Sequence, residues 1–233
     1  MIIISGGNEY RFNSKINHQN YANHHSIEYK NYTGIQFDQG LIEVPHYIKI
    51  YSILDALKTH NEVMWIDDDA FFVNFNWDCR SIFELSDKPF ILNKGWAVKA
   101  FSPMFNSGVM FIRKNDAVIK MLEEIPHITR DELRDAWKPT EWGRGKGNDQ
   151  PRLIYLTQTK YKELLEVMDN YKHKFNNKPS HAMHSGANIV HFAGSQSRKH
   201  PAIDHFQKVI QADLSKPIKC DFIHGRRARY TNF

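Results

Sequence analysis

The sequence runs to 233 residues with 41% apolar and 24% charged side chains, an ordinary globular composition with material for one domain. Its two cysteines, Cys79 and Cys220, exclude a disulfide framework and a cysteine-rich zinc site, and no apolar run approaches the roughly 18 residues that span a bilayer. The formal charge of +5 favours anionic partners, whether phosphate groups, nucleic acid or an acidic lipid surface, without choosing among them.

Chain order gives an α/β reading. Ile2 to Ile4 forms a buried strand that ends in a tight Ser5-Gly6-Gly7-Asn8 loop. This start lacks the basic residues and long apolar stretch of a signal peptide, so a soluble, cytoplasmic protein is expected. Residues 14 to 25 read as a helix capped by Ser14, and Ser26 to Tyr29 as a second strand. Pro45 to His60 carries apolar residues at helical spacing, and Val63 to Ile66 is a fully apolar strand. Strand, helix, strand, helix, strand is the grammar of a parallel sheet. Further on, strands are expected at Phe90 to Leu92, Val109 to Ile112 and Ile189 to Phe192. Helices are expected at Ile82 to Leu85, Ala117 to Glu124, Asp131 to Trp137 and from Pro151 to Thr157. Residues 138–149 read as a basic, Gly-rich loop able to act as a lid, with Trp142 exposed on it, and residues 216–233 as a loosely held basic tail after a domain at 1–215.

The three aspartates after the apolar strand carry the chemistry. In an extended segment alternate side chains share a side, so Asp67 and Asp69 point together and Asp68 points away. Two carboxylates converging at the carboxyl end of an inner strand suit a hard cation, Mg²⁺ or Mn²⁺, which also relieves their repulsion and can neutralise a diphosphate. A solvated acidic turn has the same letters. His191, at the end of another apolar strand, reads equally as a core histidine or as an imidazole ligand suited to Mn²⁺. Gly194 behind it permits close approach of a phosphate to the backbone, and Arg198 or Lys199 could hold its oxygens.

In this order the motifs resemble the nucleotide-sugar glycosyltransferases of the GT-A fold, most closely the retaining galactosyl-, mannosyl- and xylosyltransferase family. The likeness is carried by Asn20-Tyr21-Ala22 with His25, by His46-Tyr47-Ile48-Lys49, and by Trp65-Ile66-Asp67-Asp68-Asp69-Ala70. Phe105 to Arg113 with its Asn106-Ser107-Gly108, Asn148-Asp149-Gln150 before Leu153, and His191-Phe192-Ala193-Gly194 complete it. The resemblance implies a GT-A, Rossmann-like single domain with a mainly parallel sheet flanked by helices, a UDP-sugar donor and a Mn²⁺-type metal. It would place Asp67, Asp69 and His191 on the metal, Asp68 near the ribose, and Ser5, Gly6 and Lys49 along the nucleotide. Asn106, Ser107 and Gly108, with Asp149 and Gln150, would face the transferred sugar, and Gly194 with Arg198 or Lys199 the diphosphate. The acceptor would be a glycan or glycoprotein, with no nucleic acid. The sequence lacks the Lys-Pro-Trp that follows the histidine motif in the glycogenin-like group, and with no membrane anchor it points to a bacterial or viral enzyme.

Asp149 also fits a plain helix N-cap. As a catalytic group it would be a general base in an inverting enzyme, and in a retaining one would orient the sugar or shield positive charge. Two other functions share the acidic motif: a metal-dependent phosphoryl-transfer or nuclease-type enzyme, and a non-catalytic nucleotide-sugar-binding module.

Overall fold

The computed structural model describes residues 1–7, 9, 11–33, 47–95, 103–143, 149–223 and 227–233. Its strands are β1 (Ile2–Gly7), β2 (Glu28–Thr33), β3 (Glu62–Ile66), β4 (Ala70–Phe72), β5 (Phe90–Lys94), β6 (Phe105–Arg113), β7 (Leu165–Met168), β8 (Ile189–His191), β9 (Ile218–Ile223) and β10 (Arg227–Asn232). Between them run α1 (Ser14–His24), α2 (Ile48–Thr59), α3 (Ser81–Glu84), α4 (Asp116–Glu124), α5 (Arg130–Ala136) and α6 (Pro139–Trp142), followed by α7 (Asp149–Thr159), α8 (Asn170–His173), α9 (Pro179–Ser185) and α10 (Gln196–Ile210).

The continuous apolar runs of the sequence become strands buried on both faces. In β3, Val63 and Trp65 enter one core while Met64 and Ile66 enter the other. The first core lies under α2, α4 and α7, through Ile50, Ile53, Leu57, Val118, Leu122 and Leu153. The second is closed by α1 and α10, through Tyr21, Ile203 and Phe206, and by the hairpin β9–β10. Six strands form the sheet in the order β2-β1-β3-β6-β5-β7. All pairings are parallel except those of β6, which runs against β3 and β5. The expected α/β domain with a mainly parallel sheet is therefore present.

Five local expectations change. β1 does not stop at Ile4 but continues through Ser5, Gly6 and Gly7, because β2 offers them partners at Asn31, Tyr32 and Thr33. β2 begins two residues later than the pattern suggests, since Ser26 takes a left-handed turn (φ 53°) to leave α1. Ser14 is the first residue of α1 rather than its cap, with Asn13 at the cap position. Residues 218–223 and 227–232 are not a loose tail: β9 and β10 pair antiparallel, Ile218 and Tyr230 are buried, and the Tyr230 hydroxyl donates to the Ala182 carbonyl. Of the basic loop, residues 144–148 lie outside the described residues, as does Arg226. Trp142 just before it is buried at 3% exposure, edge-on to Trp137, and not exposed as expected.

Reversal of β6 is what builds the site. β3 delivers its carboxyl end, and β6, antiparallel to it, delivers its beginning to the same edge, so Asp67 N–H donates to the Gly108 carbonyl at 2.8 Å. The short pair β4–β8 then sets His191 opposite Ala70, next to Asp69.

Candidate functional site

At this edge lies a cavity of about 590 Å³, within the range of small-ligand sites. Its described lining comes from β1 and the residues after it, the start of α2, the end of β3 and the β3–β4 turn, the start of β6, the start of α7, and β8 with the stretch after it as far as α10. Among the described residues, Glu9, Asp67, Asp68, Asp69 and Asp149 face Arg11, Lys49 and Lys199, two more negative charges than positive ones.

Asp68 parts from Asp67 and Asp69 as expected, but in a turn closed by Ala70 N–H on the Asp67 carbonyl at 3.1 Å rather than in an extended segment. Asp67, Asp69 and His191 each offer a ligand atom within 4.8 Å of the others. His191 Nε2 lies 3.1 Å from Asp69 Oδ1 and 3.9 Å from Asp67 Oδ2. Asp68 turns away and forms a bidentate pair with Arg11, at 2.6 and 2.7 Å. Burial raises the Asp68 carboxyl, and Arg11 offsets only part of that rise.

The other two carboxylates are held by lysines. Lys199 Nζ is 2.6 Å from Asp69 Oδ2. Burial alone would raise the Asp69 carboxyl, but His191 and Lys199 outweigh it and hold it well below the ordinary range. Lys49 Nζ reaches Asp67 Oδ1, Asp149 Oδ2 and the Ser107 carbonyl, at 3.0, 3.0 and 3.1 Å. Asp149, the first residue of α7, also accepts from the Ser107 hydroxyl at 3.1 Å. Burial pushes Asp149 up, yet Lys49 and that hydroxyl hold it below its usual value. Beside it, Gln150 Oε1 accepts from Ser107 N–H at 3.0 Å.

A chain of amides fixes the imidazole. The backbone N–H of Gly108 donates to Asn106 Oδ1 at 2.9 Å. Asn176 therefore presents its NH₂ to that same oxygen, at 2.9 Å, and its Oδ1 to His191 Nδ1, at 2.9 Å. An oxygen there requires a proton on Nδ1. In the neutral ring the lone pair is then on Nε2, which faces carboxylate oxygens. Lone pairs of a nitrogen and two carboxylates aimed at one point repel each other until a cation or a second proton sits among them. The residues thus fit a divalent ion with mixed oxygen and nitrogen ligands. Gly108 is required here for a steric reason: a Cβ would overlap the His191 ring.

Most expected residues meet at this cavity: Gly6, Lys49, Asp67, Asp68, Asp69, Asn106, Ser107, Gly108, Asp149, Gln150, His191, Gly194 and Lys199 all line it. Gly194 has φ 144°, a conformation suited to glycine, and open space where a Cβ would stand. Ser5 does not line it. Its hydroxyl is buried against the Tyr29 hydroxyl at 2.7 Å and the Asn31 amide at 3.0 Å, so it supports β1 against β2. Arg198 lines a neighbouring cavity instead. Sequence reasoning missed Arg11, Asn176 and the Trp65 indole, whose Nε1–H donates to Asp67 Oδ1 at 2.6 Å. Only Trp65 carried a local signal, sitting two residues from Asp67 on the same side of an extended chain.

No family model matches the sequence, and no curated protein matches it. Solved structures do match. A glycosyltransferase involved in the glycosylation of the major capsid of PBCV-1 superposes with a TM-score of 0.61 at 17% identity, over 89% of this chain and 98% of that one. The glycosyltransferase GlyE in Streptococcus pneumoniae TIGR4 superposes with a TM-score of 0.51 at 14% identity, over 88% of this chain and 60% of that one. The chain has the GT-A glycosyltransferase fold.

Proposed function

We propose that this chain with the GT-A fold is a metal-dependent glycosyltransferase, moving a sugar from a nucleoside-diphosphate sugar, UDP-linked, to a hydroxyl of a glycan acceptor. The observation that carries the reading is the convergence of Asp67, Asp69 and the fixed Nε2 of His191 on one point of the cavity. Those three residues would hold Mn²⁺ or Mg²⁺, and the ion would supply charge neutralisation to the departing diphosphate.

The chain's own groups do the rest. Gly194 leaves the backbone open to a phosphate, and Lys199 stands at the same wall to take its oxygens. Gly6, Lys49 and Asp68 would lie along the nucleoside. Asn106, Ser107 and Gln150 would orient the sugar. In the transfer, the acceptor oxygen bonds to the anomeric carbon, the bond from that carbon to the diphosphate breaks with its electron pair, and the acceptor proton leaves with the diphosphate. Asp149 is a poor base, because Lys49 and Ser107 depress its proton affinity. A fixed negative charge that shields the anomeric centre or orients the sugar suits it better, which favours retention. A two-metal phosphoryl-transfer enzyme would want a second ligand set; among the described residues one such group is present.

The test is calorimetry of UDP, GDP, CMP and ATP, each with and without Mn²⁺. Binding of one nucleoside diphosphate only with metal supports the reading and names the donor nucleotide. Absence of binding in every condition removes it.

A further inference from the structure

A second cavity of about 620 Å³ backs onto the first. The two share Asn106, His191, Ala193, Gly194 and Lys199, so they meet across the stretch that follows β8. The residues of β1 that line the far end of the first cavity are absent from the described lining of the second. The second cavity therefore opens on the side of Asn106, away from β1 and the Arg11–Asp68 pair.

Its chemistry is opposite to its neighbour's. Five carboxylates line the first cavity; among the described residues none lines the second. Lys178 and Arg198 face it in addition to the shared Lys199, and Pro103, Pro179 and Phe192 give it apolar walls. Lys178 sits at the cap of α9, half-buried, where burial pushes its ammonium below the usual lysine value. Apolar walls with two further cations in the same lining describe a site for a molecule with a hydrophobic face and an oxyanion. A pyranose with one charged substituent has both.

Given the transferase reading, on which this rests, we propose that the second cavity receives the acceptor, and that the acceptor sugar carries a phosphate or carboxylate bound by Lys178 and Arg198. The donor's diphosphate has partners of its own in Lys199 and the Asp67–Asp69–His191 cluster, all of which line the first cavity, whereas Lys178 and Arg198 line only the second.

The experiment uses the full chain loaded with Mn²⁺ and UDP, titrated with glucose, glucose 6-phosphate and glucuronate. Expected is binding of at least one anionic sugar about tenfold tighter than glucose, the size of a single charge-assisted hydrogen bond. That preference weakens with added salt, is lost in Lys178→Met and returns in Lys178→Arg, while UDP affinity stays the same in both. The tighter of the two anionic probes names the group. Equal affinity for glucose overturns the proposal, as does displacement of UDP by the anionic sugar, which would place it in the diphosphate site. Failure of UDP itself to bind with Mn²⁺ is seen before any sugar is added, and refutes the transferase reading rather than the assignment of this cavity.

Discussion

Asp67 and Asp69 flank one point in space and are neutralised in different ways. Asp69 is nearly sealed, with its side chain 5% exposed, and is held by His191 and Lys199 from the strand and helix that close the chain's second core. Asp67 is 25% exposed and is held by the Trp65 indole and by Lys49, which it shares with Asp149. One side of the site is thus tied to β8 and α10, and the other to α2 and α7. A ligand that enters between them must satisfy both carboxylates at once, and each already has a cation in place. The lysines hold the acidic cluster together when no metal is bound. A divalent ion bound there would take over part of their task.

The most damaging change breaks the sealed side. Asp69→Ala or His191→Ala should abolish Mn²⁺-dependent UDP binding, by more than about 100-fold, while thermal melting shows a folded protein. Unchanged UDP affinity in either variant would remove that residue from the metal site. On the open side, Lys49→Met strips the shared cation from two carboxylates. It should destabilise the metal-free protein by about 3 kcal/mol in denaturant titration, with a smaller loss when Mn²⁺ is present. An equal loss in both states would show that the ion and Lys49 do not share the same charge.

Asn176→Ala tests the link between the sides. Without its oxygen the His191 proton is no longer confined to Nδ1, and Mn²⁺ affinity should fall about 10- to 100-fold. Nitrogen NMR of His191 should show the Nδ1–H form in the parent and a mixture in the variant. A pure Nδ1–H signal in the variant would mean that something else fixes the ring. The smallest effect is in acid. Folded Asp69 and Asp149 both lie below the unfolded value of about 3.9, so their stabilisation is present above that pH and is lost as pH falls through their folded values. Asp68, raised by burial, acts in the opposite direction. Asp149→Asn should therefore flatten the acid limb of a stability–pH curve, and an unaltered slope would place that limb elsewhere.

The site was legible where its geometry is local. The apolar flanks of the three aspartates place them at a strand end, and the parting of Asp68 from Asp67 and Asp69 was read from extended-chain alternation although a tight turn produces it. His191 stood out because an apolar strand runs into it. Its distance from Asp69 could not be read, since β4–β8 pairing joins residues more than a hundred positions apart and no short-range rule sets that register. Asn176 gave no signal at all: Phe175-Asn176-Asn177-Lys178-Pro179 reads as a turn, and only the fold shows the amide aimed at the imidazole. The hairpin β9–β10 was a missed reading. Ile218 and Cys220 alternate with Lys219 and Asp221, and Ala228 and Tyr230 with Arg229 and Thr231, a period of two that the basic residues obscured.

The side chain of Asn17 is buried and joins distant parts of the chain: its NH₂ donates to the carbonyls of Phe72 and Leu214, and its Oδ1 accepts from Phe72 N–H. Asn20 on the same helix donates to the Ser215 carbonyl. Helix α1 thus depends on partners translated almost 200 residues later. At the usual pace of roughly 5–20 residues per second, α1 waits on the order of ten seconds or more with its inward face unfinished. Synthesis of this protein therefore has a long interval in which α1 is open to chaperones and proteases, and a stop codon placed before residue 214 would leave that interval without an end.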